Sequence, residues 1–503
     1  MLQTIKTILK GSLIYSLGNI SSKLIGLILM PIFVANLTIS EYGTLGILEV
    51  TVQILISTFG LGIWYALERW YWDKNNIDKQ KSIYFTVIVF SSLIAIILFF
   101  VVFSVSSSLS FLLFDNAKYS YVLILMAIIA GLEIIAMNPA TLLRLKNRST
   151  LFLFSITLKL VLMLGFTLYF LLIKGKKIEG IYEAQLIAEV VYFLFLLGSS
   201  VKDIEFKFDF RTLTEMINYR LPLVFSSVFI VLLSFTDRYV LKFLGSLSDV
   251  GVYSMGFKLA NTIKVIIVSS VWFALSPMIY KMMDKPDNKR FYSKVMTYFT
   301  FGVLIFVIAI SVFGKEIVYL VASKPEYREA FKIIPIISFA IVFGMLKDVA
   351  LTGLNITKRT RIIAILIIII SILNLGLNIL FVPYYNSIGA ASATLISQLM
   401  FFILVLGFSQ KVYNIPYELK KIGVLIITGI FLVIVGNLFN QLYLPARLVL
   451  KLLIVVSFPF LLYFLKFFEQ VEIQGIKAAW LKWRNPFFWK KNIKELMALD
   501  DKN

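Results

Sequence analysis

The 503-residue chain has no cysteine and no histidine. Without cysteine there is no disulfide, no thiolate nucleophile and no Cys-based metal site. Without histidine, Ser-His catalysis and HExxH zinc chemistry are excluded. No Walker motif occurs, which argues against direct ATP hydrolysis. Charge is also scarce, at 15% of residues, where soluble domains carry roughly 25%. Proton chemistry is left to Asp, Glu, Lys, Arg and Tyr.

Apolar residues, by contrast, make up 59% of the chain. A soluble fold could not hide that much apolar surface. One membrane span takes about 20 mostly apolar residues, so fourteen would take about 280, close to the supply. The composition therefore excludes a soluble enzyme, a secreted disulfide scaffold and a disordered chain. It predicts an all-α polytopic membrane protein.

Apolar stretches fall near residues 11–34, 42–67, 83–106, 120–143, 150–173, 179–200, 219–241, 250–280, 292–313, 328–351, 360–382, 388–410, 421–440 and 445–467. That pattern predicts about fourteen transmembrane helices joined by short loops, with no soluble domain inserted. The first is too long for a signal-peptide core and carries Lys23 at its centre. If the N-terminus is cytoplasmic, 33 of the 49 Lys and Arg fall on the cytoplasmic side and 11 opposite. Cytoplasmic connections carry such an excess, so both termini are expected in the cytoplasm. The net charge of +21 then reads first as topology-setting loop charge, not as a nucleic-acid surface.

A repeat is visible. Ile39-Ser40-Glu41-Tyr42-Gly43 recurs as Leu247-Ser248-Asp249-Val250-Gly251, and Trp64-Tyr65-Ala66-Leu67 as Trp272-Phe273-Ala274-Leu275, both 208 residues later. The offset carries the second span onto the eighth. Six spans is an even number, so the copies share one orientation in the membrane. The expected layout is a six-helix lobe over 1–200, a cytoplasmic linker over 201–218 and a second six-helix lobe over 219–410. Two additional helices follow over 411–467, then a tail over 468–503. Within the tail, Lys477, Lys482, Arg484, Lys490, Lys491 and Lys494 alternate with Trp480, Trp483, Phe487, Phe488 and Trp489. Cations with large aromatics suit the headgroups of an anionic leaflet.

Ionisable groups inside hydrocarbon are costly and survive facing a cavity or a partner. Lys23, Lys258 and Lys264 lie deep in their spans. Lys258 and Asn261 are one turn apart on one face, suited to holding a phosphate or sugar together. The bland reading of each lysine is a structural pair with a neighbouring carboxylate. Glu49 and Glu133 either bind a coupling ion or neutralise those lysines. Asp237 and Arg238 sit nearer a span end, where an ion pair or snorkelling suffices. Lysines from both halves meeting in a low-dielectric cavity would favour an anionic substrate.

Several of these residues carry a family resemblance. Gly11-Ser12-Leu13-Ile14-Tyr15-Ser16-Leu17-Gly18-Asn19, then Lys23, Pro31 and Ser40-Glu41-Tyr42-Gly43, resembles the first two helices of bacterial polysaccharide flippases. So does Asp237-Arg238-Tyr239 through Gly251-Val252-Tyr253-Ser254 to Lys258-Leu259-Ala260. These are the Wzx-type O-antigen and capsule flippases of the multidrug/oligosaccharidyl-lipid/polysaccharide (MOP) exporter superfamily.

The resemblance implies a protein of the bacterial inner membrane, not an enzyme. Such a protein moves undecaprenyl-diphosphate-linked oligosaccharides by alternating access. Lys23 and Lys258 match positions where relatives place cavity cations. Polysaccharide polymerase and assembly proteins are the implied partners. No cofactor is expected, and coupling to a proton or Na⁺ gradient stays open. Three rivals stand beside this reading: a cation-coupled multidrug exporter, a lipid II flippase, and a membrane polysaccharide polymerase or ligase. The short external loops and their lack of an acid/base cluster disfavour the last.

Overall fold

The computed structural model describes residues 25–322 and 324–474. Lys23 and the basic-aromatic segment 477–494 lie outside them. Among the described residues the chain is helical, with no strand. The helices are α1 (Ile25–Asn36), α2 (Ile39–Phe59), α3 (Ile63–Tyr71), α4 (Gln80–Phe114), α5 (Ser120–Leu145), α6 (Ser149–Leu168), α7 (Ile178–Ser200), α8 (Phe210–Leu244) and α9 (Leu247–Ile263). They continue as α10 (Ser269–Lys281), α11 (Asn288–Val312), α12 (Gly314–Val321), α13 (Ile333–Ala350), α14 (Thr352–Ile356), α15 (Thr360–Val412), α16 (Leu419–Leu438) and α17 (Leu444–Phe464).

Eleven helical segments among the described residues are long and apolar enough to cross a membrane. One of them, α15, is two spans. Its 53 residues reverse at Asn386, whose φ of 45° and ψ of −126° are not helical. Adding α8, with 35 residues, and α1 brings the described helices to the fourteen that the sequence predicts. The second and eighth spans are each broken. Leu61 and Gly62, with φ of 49° and 59°, separate α2 from α3, and Arg220 of α8 donates to the Leu61 carbonyl at 3.2 Å. A π-helical turn over Lys264–Val268 separates α9 from α10. At the offset of 208 the π-turn corresponds to residues 56–60, just before the Leu61–Gly62 break.

The repeat reappears as geometry. Thr38 caps α2, accepting from the Glu41 backbone N–H at 3.2 Å, while Glu41 accepts from the Thr38 N–H at 2.8 Å. Ser246, 208 positions on, caps α9 by accepting from the Asp249 N–H at 3.1 Å. Both are side-chain caps on otherwise unsatisfied helix-end donors.

The two capped helices then pack on each other reciprocally. A Cβ at Gly43 would stand 1.8 Å from the Leu247 carbonyl oxygen, and one at Gly251 2.3 Å from the Ile39 carbonyl oxygen. Residue 39 is to 43 as 247 is to 251, so each contact is the image of the other. Gly46 approaches its own repeat partner, with a Cβ there 2.5 Å from Ser254 Oγ. A pseudo-two-fold axis therefore passes between α2 and α9. Small residues let helix backbones approach this closely, as in membrane helix pairs generally.

The end of the bundle holding Glu41 is closed across the halves. Lys324 donates to the Leu37 carbonyl at 2.6 Å, and Tyr327 to the Thr38 carbonyl at 2.9 Å. Lys242 pairs with Asp115 at 2.7 Å. The largest apolar core lies here too, with Leu45 and Leu48 meeting Val250, Tyr253, Ile333 and Ile337. At the opposite end, marked by Glu68, the close α2–α9 packing has no counterpart among the described residues of α3 and α10. The first turns of α8 there rest on α3 and α4 through Leu213 and Met216.

The last two helices are fixed to the second half at both ends. At the Glu41 end Lys451, fully buried, donates to Glu316 at 2.8 and 2.9 Å and to Asn440 at 2.6 Å. At the Glu68 end Lys294 and Lys421 hold Glu469 at 2.6 and 2.8 Å, and Lys294 also holds Glu418 at 3.0 Å. Hydrogen bonds from Lys294 and Lys421 bring the Glu469 carboxyl down to about 2.

Two measurements follow. Gly43→Ala or Gly251→Ala should destabilise the protein by about 1–3 kcal/mol, the usual cost of overpacking. Thermal unfolding in detergent would read this, against Gly407→Ala, where nothing lies within 4 Å of the added Cβ. The Glu469 contacts have the opposite pH sign to a cation's. Because its folded value lies below the ordinary ~4.3 of a glutamate, its stabilisation is present above that value and is lost as pH falls towards 2. Hydrogen exchange of residues 469–473 should accelerate over that window and be fast at all pH values in Lys294→Ala/Lys421→Ala.

Candidate functional site: a two-chambered cavity between the halves

Below the closed Glu41 end the halves separate around two chambers. The first, of about 570 Å³, is enclosed by the helices of the first half and by α8 and α9. Glu49, Gln53, Glu133, Gln185, Arg238, Lys258, Asn261 and Lys264 line it. The second, of about 500 Å³, lies inside the second half and includes Asp348, Thr394 and Gln398. The chambers join where Phe235, Phe257, Asn261 and Lys264 line both. A further hollow of about 590 Å³ lies on the other face of α8. Its lining is apolar apart from Thr236, Tyr239 and Ser371 and carries no charge. It has no chemistry to offer a polar cargo.

Most residues singled out from the sequence converge on the first chamber. Lys258, Asn261, Lys264, Glu49, Glu133 and Arg238 all line it. Lys23 lies outside the described residues. Asp237 is the exception. Its carboxylate is buried, accepting from the backbone N–H of Arg238 at 2.8 Å and from the Tyr253 hydroxyl. It therefore holds α8 against α9 and does not pair with the Arg238 guanidinium.

The cations differ in how they are held. Lys258, on α9, is bound to Glu49, on α2, at 2.7 Å. This ion pair bridges the halves beside the pseudo-axis. The Lys258 ammonium also lies 5.4 Å from the centre of the Tyr42 ring. Arg238 is only 4% exposed, yet no carboxylate of the described residues lies within 4.0 Å of its guanidinium, and its Nε has no hydrogen-bond partner. The rings of Phe257 and Phe235 flank it at 5.1 and 5.7 Å. Aromatic faces stabilise a cation but do not neutralise it. A planar guanidinium that pairs with no carboxylate of the described residues in a low-dielectric cavity is suited to take a phosphate or carboxylate on its paired N–H groups.

Beside the first chamber a second ionic feature is structural. Lys159 of α6 and Glu189 of α7 stand 2.5 Å apart. Glu189 is fully buried, and Lys159 also lies over the Tyr192 ring at 4.8 Å. Glu133, by contrast, forms no ion pair among the described residues and faces the chamber. No group of three or more His, Cys, Asp or Glu side chains able to hold a metal occurs among them either.

The sequence reading found Asn261 but missed the glutamine carboxamides. Gln53, Gln185 and Gln398 line the chambers, and the signal was available: an amide in an apolar span is costly to bury unless something receives its hydrogen bonds. Gln53 is moreover the repeat partner of Asn261.

A family model described as polysaccharide biosynthesis protein matches residues 8–283, more than half of the chain. A second, described as MatE, matches residues 222–380. An uncharacterised membrane protein of Methanocaldococcus jannaschii is 23% identical over 226 residues, 44% of this chain and 45% of that one. The chain thus spans about half the length of that curated relative. Among solved structures, the inward closed lipid II flippase MurJ superposes with a TM-score of 0.74. It is 16% identical, covering 90% of this chain and 99% of that one. The inward-facing structure of a multidrug resistance MATE family transporter of the MOP superfamily gives 0.64 at 13% identity, covering 77% and 94%. These likenesses share the fold.

Removing one member of a buried ion pair strands the other. Lys159→Met should therefore cost about 3–5 kcal/mol, read as a lowered melting temperature. Lys159→Met/Glu189→Leu should recover most of that loss, since replacing a whole buried pair is nearly neutral. A double variant no more stable than the single one would contradict the assignment.

Proposed function

Because the chain belongs to the polysaccharide biosynthesis protein family of the MOP exporter superfamily, we propose that it is a flippase for undecaprenyl-diphosphate-linked oligosaccharides. It moves them across the bacterial inner membrane during surface polysaccharide assembly. Arg238 carries this reading: a buried guanidinium with no carboxylate of the described residues within 4.0 Å, facing a cavity between two halves. A fixed cation there repels organic cations and attracts a diphosphate.

The physical task is to carry a hydroxyl-rich headgroup past hydrocarbon. Each hydroxyl loses water on the way and needs a substitute hydrogen bond. Gln53, Gln185 and Asn261 supply such bonds, while the prenyl tail stays in lipid. With the Glu68 end cytoplasmic, the described conformation is sealed toward the outside and receives substrate from the inner leaflet. Reaching the other leaflet requires the α2–α9 contact to part and the halves to rock about the pseudo-axis. An anion arriving at Lys258 competes with Glu49 and weakens the ion pair that bridges the halves. Net transport needs a driving force, and Glu133 is the chamber carboxylate we assign to a coupling proton or Na⁺. The basic-aromatic tail rests on anionic headgroups, and polysaccharide polymerase and assembly proteins receive the product.

The test is reconstitution into proteoliposomes. Arg238→Ala should weaken binding of undecaprenyl diphosphate about tenfold to hundredfold, as for loss of a charged hydrogen bond, and should abolish translocation. If Arg238→Ala and Lys258→Ala both leave surface polysaccharide intact while Glu133→Gln abolishes dye efflux, the protein is a drug exporter. Loss of viability on depletion, with lipid II accumulating, would instead make it a lipid II flippase.

A further inference from the structure

Two buried tyrosines connect the chamber to the seal at the Glu41 end. Lys258, on the chamber wall and held by Glu49 at 2.7 Å, also places its ammonium 5.4 Å from the centre of the Tyr42 ring. Side chains on a helix lean towards its N-terminus. The N-terminus of α9 lies at the Glu41 end, so Lys258 reaches from the chamber towards the seal. Tyr42 in turn meets Tyr327 edge to face, with ring centres 5.7 Å apart and planes at 81°. Both tyrosines are fully buried. The Tyr327 hydroxyl donates to the Thr38 carbonyl at 2.9 Å, with the Leu37 carbonyl at 3.3 Å. The backbone N–H of Tyr42 donates to the same Thr38 oxygen at 2.9 Å.

The contacts run in one order: Glu49, Lys258, Tyr42, Tyr327, Thr38. The first lines the chamber, and the last is the cap of α2 in the first half. Tyr327 belongs to the second half, so its hydroxyl is a bond across the seal. A cation on a ring face and an edge-to-face ring pair are each worth only about threefold to tenfold in an equilibrium. The line is therefore poised and not fixed. An anion that draws the Lys258 ammonium towards the chamber takes the charge off the Tyr42 ring. Tyr42 then loses the cation that orients it, and Tyr327 loses the support that aims its hydroxyl at the α1–α2 turn. The line exists once, because the images of Tyr42 and Lys258 at the offset of 208 are Val250 and Val50.

We propose that Tyr42 and Tyr327 are positioning residues that report the occupancy of Lys258 to the seal at the Glu41 end. While Lys258 stays on Glu49 and Tyr42, the seal holds. Once an anion takes Lys258, the Tyr327 bond to the first half is released and that end opens. This rests on the flippase reading for the identity of the anion and deepens it: an empty chamber stays shut, and a loaded one opens to the far side.

The test uses the lack of cysteine. Ala117→Cys and Glu326→Cys, both at exposed positions, put one spin label on each half at the Glu41 end. Their separation in nanodiscs gives the open fraction of the full-length protein. Without lipid, Tyr327→Phe should raise that fraction about tenfold, as for loss of a hydrogen bond. Lys258→Met should raise it as well. Substitutions that share no partner act independently, so the departure from independence measures the link through Tyr42. With Tyr42 present, the two together should give less than the product of their separate factors, and with Tyr42→Leu they should multiply. Tyr42→Phe, which keeps the ring, should behave as the wild type. Undecaprenyl diphosphate should then raise the open fraction of the wild type and of Tyr42→Phe, and leave Tyr42→Leu unchanged at equal occupancy, set from the Kd in the same nanodiscs. The proposal is overturned if the factors multiply with Tyr42 present, a measurement that needs no change at Tyr42 itself. It is also overturned if bound lipid opens Tyr42→Leu as it opens the wild type. Failure of the lipid to bind the wild type, with the lipid-free factors as expected, would support the link and count against the flippase reading.

Discussion

The rest of the architecture depends on two backbones being allowed to touch. At Gly43 and Gly251 the α2 and α9 helices meet with no side chain between them. No interposed side chain would fit, because the opposing atoms are carbonyl oxygens that cannot rotate away. The contact sets the axis, and the axis sets everything below it. It brings Glu49 within reach of Lys258 across the halves and places Tyr42 over the same ammonium. The helices also part towards the other end, so the chambers open where the glycines stop. Hydrophobic burial cannot do this alone in a membrane, since lipid tails are as apolar as leucine.

Much of this was legible in the residues. The span count follows from composition and spacing because hydrocarbon imposes one length on every crossing. The repeat at an offset of 208 residues carried real geometry, because caps and close-packing glycines tolerate few residue types. Buried charges were also visible, because so few exist in an apolar chain that each stands out. Which of them paired was not visible. Glu49 could have met any of several lysines, and only the facing of α2 and α9 selects Lys258. Asp237 and Arg238 are neighbours in sequence, yet they point to opposite tasks because adjacent residues on a helix diverge by about 100°. One locks α8 to α9 and the other faces the cavity.

The carboxamides mark the limit of reading by charge. Gln398 and Gln53 have no formal charge and drew no notice among leucines and isoleucines. Their cost of burial is nevertheless of the order that makes a polar group a constraint. Hydrogen-bonding capacity that goes unused within the protein is as informative as an unpaired ion, though it shows only once the neighbours are known. The ion pairs at the bundle ends had a similar concealment. Lys294 and Lys421 look like loop charge in sequence, and in space Lys294 fastens the chain after α17 to the second half while Lys421 fastens it to α16.

The near-symmetry of the fold has one more consequence. A protein folded about a two-fold axis has no intrinsic left or right for a ligand lying across that axis, since either half would serve either end equally. Direction enters only where the copies have diverged. Position 50 is Val and its image at 258 is Lys, while position 49 is Glu and its image at 257 is Phe. At position 56 an Ile answers Lys264. A handful of substitutions on two duplicated helices thus turns an ambivalent crevice into one with a head and a foot. The way round in which a cargo sits is inherited from that divergence and not from the topology of the chain.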